Sequence, residues 1–433
     1  MEGRLLMSRK ELHRKSVLEL VQAKRLTLVE ASERMHLSYR QALRVFERFS
    51  TEGDAGLVHR RRGQSSNRAY AAAFREKVLR RYRERYKDHD VGPTLAAEKL
   101  AEEGLQVDHE TLRRWLLKEG DWKKRRKRKT HRSRRERKAH FGELVQMDGS
   151  HHGWFGPEHA KACLMNMVDD ATGATLGLMD HQETTEAAMR LLWRWIERHG
   201  IPVALYTDRK NVYLTDRAPT LEEELAGEAP RTAFGKACEK LNMEIIAAHS
   251  PQAKGRVERS NGTYQDRLVK ELALRRITTC KSADKLLKNG FCGTLNEKFA
   301  QAPLKQEDYH RPLPKGFKLD DIFCFEEHRV VQNDWTIRHE NRYYQILKDN
   351  TPLPKPKDKI LVRTHLDGHM QLLYRDKPLA FRLISPKQLH QQRRQHEKAP
   401  APAATPKLRP TKKPAQNHPW RQGCSLMRNE RTP

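Results

Sequence analysis

Residues 123–138, KKRRKRKTHRSRRERK, hold 12 Lys or Arg in 16 positions and a single Glu. A segment of that density cannot enter a hydrophobic core, because its charges would leave water without partners. The chain therefore folds as separate bodies on either side of it. The run itself, 123–139, is read as a basic linker that orders along a phosphate backbone. The whole sequence leans the same way, with 85 Lys and Arg against 56 Asp and Glu, a formal net charge of +29 over 433 residues. That excess points to a polyanion, and nucleic acid comes ahead of a membrane surface. No apolar run approaches the ~20 residues that cross a bilayer. The opening MEGRLLMSRKELHRK lacks the apolar centre of a signal peptide. The expectation is a cytoplasmic, nucleoid-associated protein with no membrane partner.

Before the linker the pattern is helical. In LTLVEASERMHLSYRQALRVFERF, residues 26–49, Leu28, Ala31, Met35 and Leu37 mark one apolar face, and Ala42, Val45 and Phe46 a second. Between them His36-Leu37-Ser38 is a short break, with Ser38 placed to cap the next helix. This spacing suits a helix-turn-helix, whose second helix enters the major groove, and equally an ordinary helical hairpin with a basic solvated face; the basic stretch that follows favours the first. Tyr39, Arg40, Arg44 and Arg48 then face outward, and HRRRGQSSNR adds Arg60 and Arg61 as phosphate contacts. A second helical unit follows. Gly104 ends one helix, Asp108 caps the next, Leu112, Trp115 and Leu116 are buried, and Arg113 and Arg114 point outward. The expected domains are 1–68 and 69–122, both DNA-binding, continued by Lys123, Lys124, Arg125 and Arg126 of the linker.

After residue 139 the period changes. GELVQMD, KACLMNMVDD and ATLGLMD read as three strands, and ETTEAAMRLLWRWIERHG as an amphipathic helix closed by Gly200. PVALYTD is a further strand. An acidic insertion, a helix from Thr232, the strand MEIIAAHS and a long helix to about 276 follow. The order β, β, β, α, β, α, β, α makes 140–276 an α/β core. Residues 277–330 read as a helical or extended connector. Residues 331–385 read as a small all-β barrel with a turn at Asp367-Gly368. The Pro-rich, basic stretch 386–433 reads as disordered. Cys163, Cys238, Cys280, Cys292, Cys324 and Cys424 form no CxxC pair and no zinc spacing, so they are taken as reduced core residues.

Three acids stand out by position. Asp148 ends the first strand, Asp208 ends the fourth, and Glu258 sits in the last helix inside the basic stretch SPQAKGRVERSNGTYQD. Taken singly, each has a plain explanation as a turn residue, a cap or half of an ion pair. Ligands of such sheets gather at the carboxyl ends of strands. Two Asp there, with a Glu from the adjacent helix, suit a pair of hard cations, Mg²⁺ or Mn²⁺. Such ions lie about 3.5–4 Å apart and stabilise the attacking and leaving oxygens of a phosphoryl displacement. Lys254, Arg256 and Arg259 would then meet DNA phosphates. Asn261, one turn after Glu258, either orients it or touches the substrate. Asp216, Glu222, Glu223 and Glu224 are set aside as loop acids, and Asp169, Asp170 and Asp180 because they follow other strands. Glu271 is not preferred to Glu258.

The segments MDGSHHGWF, YTDRKNVY and HSPQAKGRVERSNGTYQDRLVKEL resemble the three catalytic motifs of the retroviral-integrase-like DDE transposases. The similarity is strongest over residues 140–275 and points to bacterial insertion-sequence transposases of the ISNCY group. The resemblance implies an RNase H-like core and Asp148, Asp208 and Glu258 as ligands of two metal ions. It also implies cleavage and 3′-OH strand transfer at the element's terminal inverted repeats, by a dimer or larger assembly on double-stranded DNA. Asp208 and Glu258 are further apart than is usual in that family, and the acidic insertion accounts for the excess. The competing readings are a regulator derived from a transposase, which binds DNA without cutting it, and a nuclease that joins nothing.

Overall fold

The computed structural model describes residues 6–60, 62, 69–123, 135–227, 229–248, 255–385 and 388. Most of the basic linker and almost all of the Pro-rich tail, Cys424 included, lie outside them. The chain divides into two compact units, Met1–Asp88 with Gly92–Lys123, and His89–Val91 with Lys124–Pro433.

In the first unit, α1 (Arg9–Gln22), α2 (Leu28–Arg34) and α3 (Tyr39–Glu52) enclose Val17, Leu18, Ala31, Met35, Ala42, Val45, Phe49 and Leu57. Thr27 and Glu30 cap α2 reciprocally. Left-handed His36 (φ 53°) turns the chain, and the Ser38 hydroxyl accepts from Gln41 N to start α3. The buried face of α3 is set by Phe49 as well as Ala42 and Val45, and Phe46 is only partly buried. Helices α4 (Ala72–Arg85), α5 (Pro93–Glu102) and α6 (His109–Lys118) follow. Asp108 caps α6 through Glu110 N and Thr111 N, both at 3.0 Å.

The second unit is built on a mixed sheet in the order β3-β2-β1-β4-β5. Its strands are β1 (Leu144–His152), β2 (Ala162–Asp169), β3 (Thr175–Asp180), β4 (Ala204–Thr207) and β5 (Glu244–Ala247). Strands β1, β2 and β3 form an antiparallel meander, and β4 and β5 run parallel to β1. Every residue of β2 is buried, as a strand covered on both faces requires. Helix α7 (Thr185–His199) connects β3 to β4 and buries Ala188, Leu191, Leu192 and Trp195. It stops at Gly200 (φ 101°), where a Cβ would come within 2.9 Å of the Arg311 carbonyl. The acidic insertion is not a plain loop. It contains α8 (Leu221–Ala226), capped reciprocally by Thr220 and Glu223, and Glu223 also pairs with Arg217. Then come α9 (Ala233–Lys240) and, after β5, α10 (Gly255–Leu274). Helix α10 buries Val257, Asn261, Tyr264, Leu268 and Leu272 at helical spacing.

Helices α11 (Cys280–Leu286), α12 (Cys292–Phe299) and α13 (Leu319–Ile322) lead to the C-terminal strands β6 (Cys324–Val330), β7 (Thr336–His339), β8 (Arg342–Ile346), β9 (Lys359–His365), β10 (Met370–Tyr374), β11 (Lys377–Leu379) and β12 (Phe381–Ile384). They form two open sheets, β11-β10-β9-β6 and β12-β8-β7, around Val331, Ile337, Ile346, Ile360, Val362 and Leu372. The expected small barrel is not closed: the sheets share a core, and no ladder joins them among the described residues. Strand β6, placed in the connector from its sequence, pairs with β9 along its length. The turn at Asp367-Gly368 is present between β9 and β10, with Gly368 at φ 86°.

Leu268 is fully buried where α10 packs on the core. Leu268→Ala is expected to destabilise the second unit by about 2–5 kcal/mol, read as a lower urea midpoint for its unfolding transition.

Candidate active site

Strands β1 and β4 place the two aspartates. Val145 pairs with Leu205 and Gln146 with Tyr206, an offset of 60. The same offset carries Asp148 to the level of Asp208, which follows the last residue of β4. Strand β1 does not end at Asp148, as its sequence suggested. It runs on against β2, pairing Asp148 with Asn166, His151 with Cys163 and His152 with Ala162. The aspartate therefore lies mid-strand at the point where its other neighbour, β4, has stopped.

Helix α10 is stitched to β1 at two points. The Val257 N–H, one of the donors a helix start leaves over, reaches Gln146 Oε1 at 3.2 Å. One turn later the Asn261 amide donates to Asp148 Oδ2 at 3.1 Å. The orientation of that amide follows from its other bond. Asn166 Nδ2 donates to Asn261 Oδ1 at 2.9 Å, and Thr175 Oγ1 donates to Asn166 Oδ1 at 2.6 Å. Each acceptor is taken in turn, so the Asn261 NH₂ faces the carboxylate. Asn261 is 7% exposed. It thus holds Asp148 rather than orienting Glu258. Glu258 lies between the two stitches, at the edge of the buried face, with an exposed carboxylate that has no ion pair among the described residues.

Next to Asp208 stands a group that the sequence reading passed over. Lys210 Nζ is 3.0 Å from Asp208 Oδ2 and 2.6 Å from Glu183 Oε2. The Glu183 side chain is 4% exposed, and its other oxygen accepts the Tyr213 hydroxyl at 3.0 Å. Burial alone would lower the Lys210 pKa, but Glu183 and Asp208 outweigh it and raise it. Burial, and then the charges of Glu183, Asp208 and Asp148, push the Tyr213 phenol well above its ordinary range. A Cβ at Gly149 would lie 2.4 Å from Glu183 Oε2, so any larger residue there would displace the Glu183 carboxylate. The only sequence signal was Lys210 itself, two residues after Asp208 in YTDRKNVY. Glu183 carried none. His151, Cys163 and Glu183 also meet, with one ligand atom of each within 4.8 Å of the others, a grouping that chain spacing did not show.

Asp169, Asp170, Asp180 and Glu271, set aside above, each have a partner. Buried Asp169 accepts from Gly142 N, Thr172 N and Thr172 Oγ1. Buried Asp170 accepts from Gln146, Arg256 and the Lys138 backbone N–H, and pairs with Arg135. Arg256, expected to meet DNA, is therefore turned inward, 3.0 Å from Asp170. Asp180 accepts from His181 N, and Glu271 pairs with Arg275. Arg259 is exposed on α10, and Lys254 lies outside the described residues.

In the first unit Arg40 and Arg44 are exposed on α3, while Arg48 is half-buried. Arg60 pairs with Glu52 and Arg113 with Glu110. Arg114 and Lys123 are exposed, and Arg61, Lys124, Arg125 and Arg126 lie outside the described residues.

A helix-turn-helix domain family matches residues 13–65. The chain is 36% identical to the putative transposase y4bF of Sinorhizobium fredii, over 88% of this chain and 82% of that protein. It is 29% identical to the transposase for insertion sequence IS1202 of Streptococcus pneumoniae, over 94% and 92%. The chain belongs to this family of insertion-sequence transposases. Among solved structures it is similar to the HTLV-2 integrase catalytic core domain in complex with magnesium (20% identity, 34% of this chain and 84% of that one, TM-score 0.26). It is also similar to a simian T-cell lymphotropic virus intasome structure (16% identity, 67% and 95%, TM-score 0.30). No helix among the described residues is long and apolar enough to cross a membrane.

Cys163 sits beside this site, fully buried on β2. Burial first, and then the charge of Glu183, pushes its thiol up to about 12. Alkylation follows the thiolate. At pH 8 Cys163 is expected to resist iodoacetamide in the native chain and to react after denaturation, as peptide mass mapping would show.

Proposed function

We propose that the chain recognises the terminal inverted repeats of its insertion sequence and, through an RNase H-like core, cuts DNA there and joins the freed 3′-OH to target DNA. The observation that carries this is the level placement of Asp148 and Asp208 on parallel neighbouring strands, with α10 fastened over them through Asn261. Asp148, Asp208 and Glu258 would hold two divalent ions, Mg²⁺ or Mn²⁺. The donor set fits such ions: it consists of carboxylate oxygens, and the Glu258 carboxylate is exposed. When bound, the ions supply charge stabilisation at the attacking and leaving oxygens of an in-line displacement.

The protein's own part is positioning. The Thr175–Asn166–Asn261 chain keeps Asp148 in one orientation, because Asn261 presents a donor to it. Arg259 is available to a phosphate on the α10 side, while Arg256 braces the helix start against Asp170. The helical segments 1–68 and 69–122 read the repeat, with Arg40 and Arg44 of α3 exposed for the groove. The small C-terminal β unit adds non-specific contact, and two copies hold the two element ends.

The test uses purified full-length protein, Mg²⁺ and a labelled element-end duplex. Wild type is expected to nick and join. Asp208→Asn and Glu258→Gln are expected to lose about 100-fold or more of that activity while still retarding the duplex in a gel. Retained cleavage by either variant would remove that residue from the site, and binding without any cutting by wild type would leave a DNA-binding regulator.

Asn261→Ala tests the fastening. Loss of a side chain that supports a metal ligand typically costs 10–100-fold. A fall of about that size in the cleavage rate is expected, together with a higher Mg²⁺ concentration for half-maximal activity.

A further inference from the structure

A cavity of about 390 Å³ opens beside Asp208, lined by His151, Lys161, His181, Gln182, Glu183 and Lys210. Five of the six side chains carry a nitrogen that can donate a hydrogen bond. The sixth, Glu183, is nearly buried and already bonded to Lys210 and Tyr213. It shares the Lys210 ammonium with Asp208, and His151 Nε2 lies 3.9 Å from its Oε2. Lys161 and His181 are exposed, on the first turn into β2 and just after β3, and His151 is 52% exposed by side chain. Lys210 joins the cavity to the proposed cutting site, since the same ammonium touches Glu183 and Asp208.

We infer that this cavity is a phosphate-binding site that receives a backbone phosphate of the DNA strand a short distance from the one that is cut. Lys161, His151, His181 and Gln182 surround the phosphate, and Lys210 stands between it and Asp208. The inference rests on the proposed cutting site only for which strand enters. Apart from Lys210, which also touches Asp208, the cavity's donors are distinct from the proposed metal ligands. A transition metal on His151, Cys163 and Glu183 is the competing use of these residues. It is disfavoured because Glu183 already binds an ammonium at 2.6 Å and because the Cys163 thiol is fully buried.

The experiment measures affinity of the full chain for an element-end duplex without divalent metal, so that nothing is cut, across about 50–200 mM salt. Both Lys161→Ala and His181→Ala alter exposed side chains. Lys161→Ala is expected to lower the slope of log K against log salt by about 1, and His181→Ala to weaken binding at fixed salt. Duplexes carrying one neutral methylphosphonate linkage then locate the contact. One linkage near the cut should weaken wild type several-fold but leave Lys161→Ala unaffected, the non-additivity of a direct pair. If every neutral linkage weakens both proteins alike, the cavity holds no phosphate. Stoichiometric Zn²⁺ uptake by the wild-type chain, lost in His151→Gln, would also overturn the inference in favour of a metal centre. Wild type that shows the paired effect but never cuts would leave this site standing and remove the proposed activity.

Discussion

The arrangement of the second unit depends on how α10 is held to β1. A helix following an edge strand is free to sit at many angles on a sheet. Here a backbone N–H to Gln146 and a side-chain amide to Asp148 fasten two successive turns. Both bonds are made in or next to the core, where the groups they satisfy would otherwise be buried without partners. Behind them Tyr264, Leu268 and Leu272 supply the apolar area. The polar chain from Thr175 through Asn166 and Asn261 thus fixes a register that apolar packing alone leaves loose.

That register brings the charges together. Asp148 and Asp208 come from strands 60 residues apart in pairing, and mutual repulsion is offset by Asn261 on one side and Lys210 on the other. Glu183 and Asp208 together hold the Lys210 ammonium in its charged form. The basic character of the chain appears at this scale as well. Lys161, Lys210 and two histidines border the acids on one side, and Arg259 lies on the other.

Much of this was legible along the chain. The caps at Ser38, Asp108 and Gly200 mark helix ends because capping involves residues only two to four positions apart. The α/β core and its strand sequence followed from period and length. Misread elements were those whose state depends on distant partners. Strand β1 continues past Asp148 because β2 lies beside it. Strand β6 belongs with β9, which is more than thirty residues later. The C-terminal strands form two open sheets, a closure decided by which edges meet and not by any local pattern.

The sequence by itself determined the helical front, the α/β core and the three acids as candidates, since these rest on local propensity, on spacing and on motif. Tertiary structure alone decided what surrounds the acids. Asn261 and Asp148 are 113 positions apart, and Glu183 and Lys210 are 27 apart. Arg256 turned to Asp170 instead of outward because a buried carboxylate needs a cation nearby. Partnerships of this kind arise from desolvation and packing across the sheet, and those energies are set only once the strands have taken their order.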